Sequence, residues 1–324
     1  MLFKILRQVL IAVVITVAVA VLLVFTQWPK QMSGAGGLDF TQTMEGSTDA
    51  APLQSVPMRD GYPLQVRTYG GADDVPLLVL VHGSGWHGQQ FDALGTALQG
   101  SADVIVPDLR GHGTAPGRRG DVDYIGQLED DMADLITAVA KPGQKVIMAG
   151  HSSGGGLVVR FAGGAHGGML DGAVLLAPFL KHDAPTMREN AGGWNHVLIR
   201  RMIGLGILNT FRITALNYMP VVQFNMPQAV LEGPLGDTAT TAYSYRLNTS
   251  FAPRSAYLDD VAALPKFVLL AGGADEAFIS SQFAPTMGAV TDKGRYDMIL
   301  GATHLGLVDD PRTKAIIAEF LGGF

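Results

Sequence analysis

The chain has 324 residues, 48% of them hydrophobic and 16% charged, a net charge of −6 and no cysteine. So apolar a composition belongs to a folded chain and excludes long disorder, and an acidic balance without any run of Lys or Arg argues against binding nucleic acid through its phosphates. Without thiols there are no disulfides, no thiolate nucleophile and no cysteine metal site; no cofactor and no metal ion is expected.

Residues 9–26 read VLIAVVITVAVAVLLVFT. Eighteen helical residues rise about 27 Å, close to the roughly 30 Å hydrocarbon core of a bilayer. Lys4 and Arg7 precede the run, and Trp28 and Lys30 follow it, as where a helix leaves the interface. A cleaved signal has a shorter apolar core with small residues just after it; here Phe25 to Trp28 follow, and the nearest small cluster is at 33–37. The expectation is an uncleaved, single-pass anchor over 1–30. Its positive flank keeps the N-terminus in the cytoplasm and places the remainder on the exported side. Residues 31–52 are polar, glycine-rich and aperiodic, a tether.

Strand and helix signals alternate from residue 56 onward. Segments 56–58 and 64–69 flank Arg59-Asp60-Gly61, a hairpin signal. Residues 76–82 (PLLVLVH) form a continuous apolar run, the mark of a strand buried on both faces. A helix over 90–98 and a strand over 102–107 follow, then a helix over 124–139 and a strand over 145–150. A glycine-rich helix begins near 154, and further strands occupy 172–178, 266–271 and 296–301. A closing helix over 311–321 has Pro311 at its first position. The alternation predicts an α/β fold, a mostly parallel sheet with helices on both faces. It divides into a core over 53–180 and 265–324 and, where the alternation breaks, a cap insertion over 181–264.

Within the insertion, residues 196–211 read HVLIRRMIGLGILNTF. At 100° per residue Leu198, Ile199, Met202, Ile203, Leu205 and Ile207 fall on one arc, with Arg200, Arg201 and Gly204 opposite. This predicts a helix whose apolar arc covers the mouth of a site or packs on the sheet domain, with its arginines toward lipid headgroups or water. Gly204 and Gly206 weaken the helix.

The strongest chemical signal is Gly150-His151-Ser152-Ser153-Gly154, a G-x-S-x-G between a buried strand and a helix start. A serine nucleophile needs a sharp strand-to-helix turn that exposes its hydroxyl, and the flanking glycines give the chain room to bend. Serine is inert without a base. Of eight histidines, His304 alone combines a post-strand loop with a late position. Asp275, at the end of the strand over 266–271, is the acid expected to orient it; Glu276 beside it is the alternative, and Asp259, Asp260 and Asp297 read as surface or cap residues. Two backbone N–H groups should receive the oxyanion: that of Ser153, after the nucleophile, and that of Ser84, in the loop after 76–82.

The segments His82-Gly83-Ser84-Gly85, Pro107-Asp108-Leu109-Arg110-Gly111-His112-Gly113, the Ser152 elbow, and Asp275 with His304 in the order Ser, Asp, His resemble the α/β-hydrolase superfamily. Within it they resemble the monoacylglycerol lipase-like and lysophospholipase-like group that also includes serine aminopeptidases. The resemblance covers about residues 55–324. It implies the α/β-hydrolase fold with a variable cap, and backbone donors at Ser84 and Ser153. The expected function is hydrolysis of carboxylic esters through an acyl-enzyme, the substrate a small acyl ester or lipid; the apolar insertion and the anchor favour a lipid-like one such as a monoacylglycerol or lysophospholipid. Amide or peptide hydrolysis by the same triad and a non-catalytic binding protein are the alternatives. The oligomeric state is not readable from the sequence.

Overall fold

The computed structural model describes residues 1–34, 37–41, 50–70 and 74–324. Much of the expected tether, and part of the small cluster at 33–37, lies outside these residues. The chain opens with a 24-residue helix, Leu2–Phe25, long and apolar enough to cross a membrane.

Eight strands form one sheet: β1 (Gln54–Pro57), β2 (Pro63–Tyr69), β3 (Leu77–Val81), β4 (Asp103–Asp108), β5 (Val146–His151), β6 (Gly172–Leu176), β10 (Lys266–Gly272) and β11 (Gly294–Ile299), in the order 1-2-4-3-5-6-10-11. β1 and β2 pair antiparallel, as does β2 with β4; from β4 to β11 every pairing is parallel. This is the α/β-hydrolase fold, a mostly parallel sheet with flanking helices. β3 and β6 are buried at every residue because helices cover both faces. The helices Asp92–Leu98, Gln127–Val139, Ser153–Ala162 and Pro311–Leu321 form much of that cover. β11 begins two residues before the position expected from the sequence. It is an edge strand with only Ile299 buried, so the apolar run that marks inner strands does not mark its bounds.

The insertion holds secondary structure that its sequence does not announce. Three short strands, β7 (Asn195–Val197), β8 (Pro220–Phe224) and β9 (Ala242–Ser244), form an antiparallel sheet of their own. Helices Tyr245–Phe251 and Tyr257–Ala263 return to pack against the core helix Ser153–Ala162.

The helix expected in the insertion is present as Ile199–Thr210, despite its two glycines, but of the predicted arc only Leu205 and, just before the helix, Leu198 are buried. Arg201, Gly204, Leu205 and Leu208 are buried. They face the N-terminal helix, where Ala20 and Val24 are the buried positions. The reason is twofold. A Cβ on Gly204 would lie 2.6 Å from the Ala20 carbonyl oxygen, so glycine permits backbone contact. Arg201, 1% exposed, caps the end of the N-terminal helix: its Nε donates to Val24 O at 3.1 Å and its Nη2 to Gln27 O at 2.7 Å. A cation there satisfies orphan carbonyls and opposes the helix dipole.

Candidate active site

The parallel strands deliver their C-terminal ends to one edge of the sheet, where ligands bind in folds of this kind. β5 runs into Ser152, whose φ of 54° and ψ of −120° set a strained turn before the helix Ser153–Ala162. Both flanking glycines are required there. A Cβ on Gly150 would lie 2.3 Å from Gly154 O, and one on Gly154 would lie 2.1 Å from Val81 O. The turn therefore forms only by wedging the helix start against the end of β3.

β10 ends at Gly272 and delivers Asp275; the loop after β11 delivers His304. Both are 1% exposed, and His304 Nδ1–H donates to Asp275 Oδ2 at 2.8 Å. The other oxygen, Oδ1, accepts from the backbone N–H groups of Ala277 at 2.8 Å and Phe278 at 2.7 Å. Burial alone would raise the Asp275 pKa. The His304 ring and these donors outweigh it, so the carboxyl is held below the usual carboxylate range. Ser152 and His304 line one cavity with Gly83, Ser84, Trp86, Gln90, His151 and Leu305.

The fold thus brings together Ser152, His304, Asp275 and Ser84. Ser153 is the first residue of its helix, where a backbone N–H has no intrahelical acceptor. Glu276, the alternative acid, does something else. Its Oε2 accepts from the backbone N–H of His304 at 2.9 Å, and its Oε1 accepts from that of Asp39 at 2.8 Å. Asp260, expected as a surface or cap residue, lies in the first turn of the helix Tyr257–Ala263, where it is 4% exposed and pairs with Arg254 at 3.0 Å.

Several residues at the site escape sequence reasoning. Leu38 and Phe40, from the aperiodic tether, line the cavity and leave about 10 Å³ free in it, room for about one water. Phe40 is held between Trp86 (centroids 6.2 Å apart) and Trp194 (5.5 Å). Tyr243, on β9 of the insertion, accepts the N–H of Gly85 at 2.8 Å and meets His112 Nε2 at 2.6 Å, fixing the loop that carries Ser84. His151 donates from Nε2 to His304 O at 3.0 Å. Burial, with the neighbouring His304 ring, pushes its pKa down to about 3, so it stays neutral. Burial likewise lowers His82 to about 4 and holds His112 well below its ordinary value. A signal existed for the two motif histidines, each beside a glycine; none existed for Leu38, Phe40 or Tyr243. Among the described residues no group of three or more His, Cys, Asp or Glu side chains is placed to hold a metal ion.

The family model described as serine aminopeptidase, S33, matches residues 73–278. The chain belongs to that family. Solved structures similar to this S33-family chain include an esterase from Thermogutta terrifontis, with TM-score 0.58 and 20% identity, covering 84% of this chain and 99% of that one. A monoacylglycerol lipase from Paleococcus ferrophilus has TM-score 0.56 and 21% identity, covering 81% and 99%. A membrane phospholipase A described as a bacterial virulence factor has TM-score 0.58 and 18% identity, and covers 99% of this chain and 97% of that one. At these identities the likeness is one of fold. By sequence, an uncharacterized protein of Mycobacterium tuberculosis is 33% identical over 115 residues. A protein of Rhodobacter capsulatus named magnesium-chelatase 30 kDa subunit is 35% identical over 96. The chain matches about a third of the length of each of these relatives.

Proposed function

We propose that this S33-family hydrolase cleaves carboxylic esters through an acyl-enzyme, and that its substrates are lipid-like acyl esters such as monoacylglycerols or lysophospholipids. The observation that carries the reading is the strained Ser152 turn in one cavity with a His304 ring that Asp275 fixes from the far side. In this reading Ser152 Oγ attacks the ester carbonyl and its proton passes to His304 Nε2. Asp275 holds the ring in the tautomer that presents a free Nε2. The N–H groups of Ser84 and Ser153 receive the developing oxyanion. His304 then protonates the leaving alcohol, and water repeats the sequence to release the acid.

The lining supports an acyl chain over a charged amine. Leu38, Phe40, Trp86 and Leu305 are apolar, and among the described residues no acidic side chain lines the cavity. An aminopeptidase would need a carboxylate for the substrate's free amine; the nearby Glu276 already accepts two backbone N–H groups. The helix Leu2–Phe25 anchors the chain in a membrane, with the hydrolase on the exported side. Likeness to a membrane phospholipase A along 99% of the chain favours a lipid substrate.

A fluorophosphonate probe tests the chemistry. Full-length protein should be labelled, and Ser152→Ala should lose both labelling and esterase activity by several orders of magnitude. A Ser152→Ala variant keeping more than about a tenth of the activity overturns the nucleophile; wild-type protein that takes no label points to a binding protein. A panel of acyl esters, lysophospholipids and aminoacyl amides separates ester from amide hydrolysis.

A further inference from the structure

We infer that the cap helix Ile199–Thr210 is a second membrane-embedded element, lying in the lipid beside the N-terminal helix; this rests on reading Leu2–Phe25 as an anchor. The two helices run antiparallel. Arg201, at the start of one, binds Val24 O and Gln27 O at the end of the other, and Gly204 lies over Ala20 and Val24. Leu205 and Leu208 share one buried cluster with Ala20, with Val17 packed against it. Val17 stands nine residues inside the apolar run that ends at Thr26, about 13 Å along a helix. Any element packed on Val17 and Ala20 therefore enters the hydrocarbon with them when the anchor spans the bilayer.

The outward surface fits that environment. Ten large apolar side chains beyond residue 30 are exposed among the described residues, and six of them lie between 199 and 231. They include Ile199 (60%), Ile203 (51%), Phe211, Ile213 and Tyr218. Patches of this kind mark membrane or partner contacts rather than solvated surface, and here the patch adjoins the anchor. The charge pattern agrees. Residues 190–231 contain no Asp or Glu, although the whole chain carries 29. Arg201 spends its charge on carbonyls inside the contact, and the long side chain of Arg200, whose backbone N–H donates to Gln27 Oε1 at the end of the N-terminal helix, can reach the interface. A lipid bilayer is the occupant that explains both the apolar face and the missing carboxylates. It sets the insertion, and with it the site, directly on the lipid surface.

The absence of cysteine makes the test direct. Full-length Ile203→Cys, Ile213→Cys, Val14→Cys and Val290→Cys variants are each labelled with an environment-sensitive dye and reconstituted into phosphatidylcholine–phosphatidylglycerol vesicles. Bromine-labelled acyl chains serve as the quencher. The expected result is a blue-shifted probe that loses most of its emission at 203 and 213, as at 14, and an unquenched probe at 290. Quenching at 14 with none at 203 or 213 overturns the inference and leaves the anchor standing. No quenching at 14, 203 or 213 overturns both. A blue-shifted probe at 203 that brominated lipid does not quench assigns the face to a second protein copy and overturns the lipid assignment.

Discussion

Two helices of this molecule rest on a neighbouring backbone at a glycine. At Gly154 the helix Ser153–Ala162 meets the Val81 carbonyl; at Gly204 the helix Ile199–Thr210 meets the Ala20 carbonyl. The first contact lies in the sheet core and holds a serine in a strained turn. The second lies at the periphery and holds the whole insertion against the N-terminal helix. One physical device, the missing Cβ, thus serves precise placement of one oxygen in one region and attachment of a domain in the other. In the core region polar groups lock histidines and carboxylates; in the peripheral region one buried arginine caps carbonyls, the Arg200 N–H donates to Gln27, and apolar packing makes much of the remainder.

The comparison breaks most sharply under substitution at the core. Asp275→Asn should lower kcat by about 10³–10⁴-fold, because the amide favours the wrong imidazole tautomer. Steady-state kinetics on a soluble short-chain ester reads it, and a loss under tenfold would remove Asp275 from the orienting role. Acid should separate the two regions next. His82, His87 and His151 have folded pKa values lowered by burial to about 4, 4 and 3, from an ordinary 6.5. Between those limits the unfolded chain binds more protons than the folded one, so stability is full above about 6.5 and falls as pH drops. Each histidine contributes up to about 1.4 kcal/mol per pH unit there. The depressed Asp275 acts in the same direction. Tm should fall from pH 7 to pH 5; a flat profile would show that these imidazoles are not held neutral. The contact of the two helices at Arg201 and Gly204 contains no group titrating in that range.

The two glycines give the next largest effect. Gly154→Ala places a methyl 2.1 Å from a core carbonyl oxygen and should cost about 1–3 kcal/mol or more of stability, with loss of activity on every substrate. Gly204→Ala should loosen the insertion from the N-terminal helix and spare hydrolysis of a soluble short ester. Equal loss of short-ester activity in both variants would mean that the peripheral contact also sets the site. The smallest effect is expected for Tyr243→Phe. It leaves the Gly85 N–H without its acceptor, about 1–3 kcal/mol when buried, and should lower kcat on a short ester by roughly tenfold or less. Unchanged kcat would show that the loop carrying Ser84 does not depend on the insertion.

Legibility follows the same division. The inner strands β3, β5 and β10 were readable because burial on both faces writes an uninterrupted apolar run into the chain. The Ser152 turn was readable because its steric demands fall on residues two positions away. Asp275 and His304 could be paired because both follow strands that end at one sheet edge. The periphery lacks such local rules. Helical periodicity found an apolar arc but could not know that the opposite face would meet another helix, and so it placed Arg201 and Gly204 toward lipid or water. Leu38 and Phe40 sit in an aperiodic stretch whose partner Glu276 lies 237 residues from Asp39. β7 and β9 have only three residues each, and β8, as long as β3, is not buried throughout, so no uninterrupted apolar run marks it.

Leu38 has a further consequence as a matter of reach. It lies thirteen positions after Phe25, the last residue of the N-terminal helix. Fully drawn out, that length of chain covers at most about 45 Å, and it is partly reeled in by the exchange of hydrogen bonds between the Lys30 backbone and Gln223. The segment therefore acts as a short leash with its far end inside the cavity of Ser152 and His304, and inserting residues into it would slacken the grip on Leu38 and Phe40 without touching any residue of the hydrolase core.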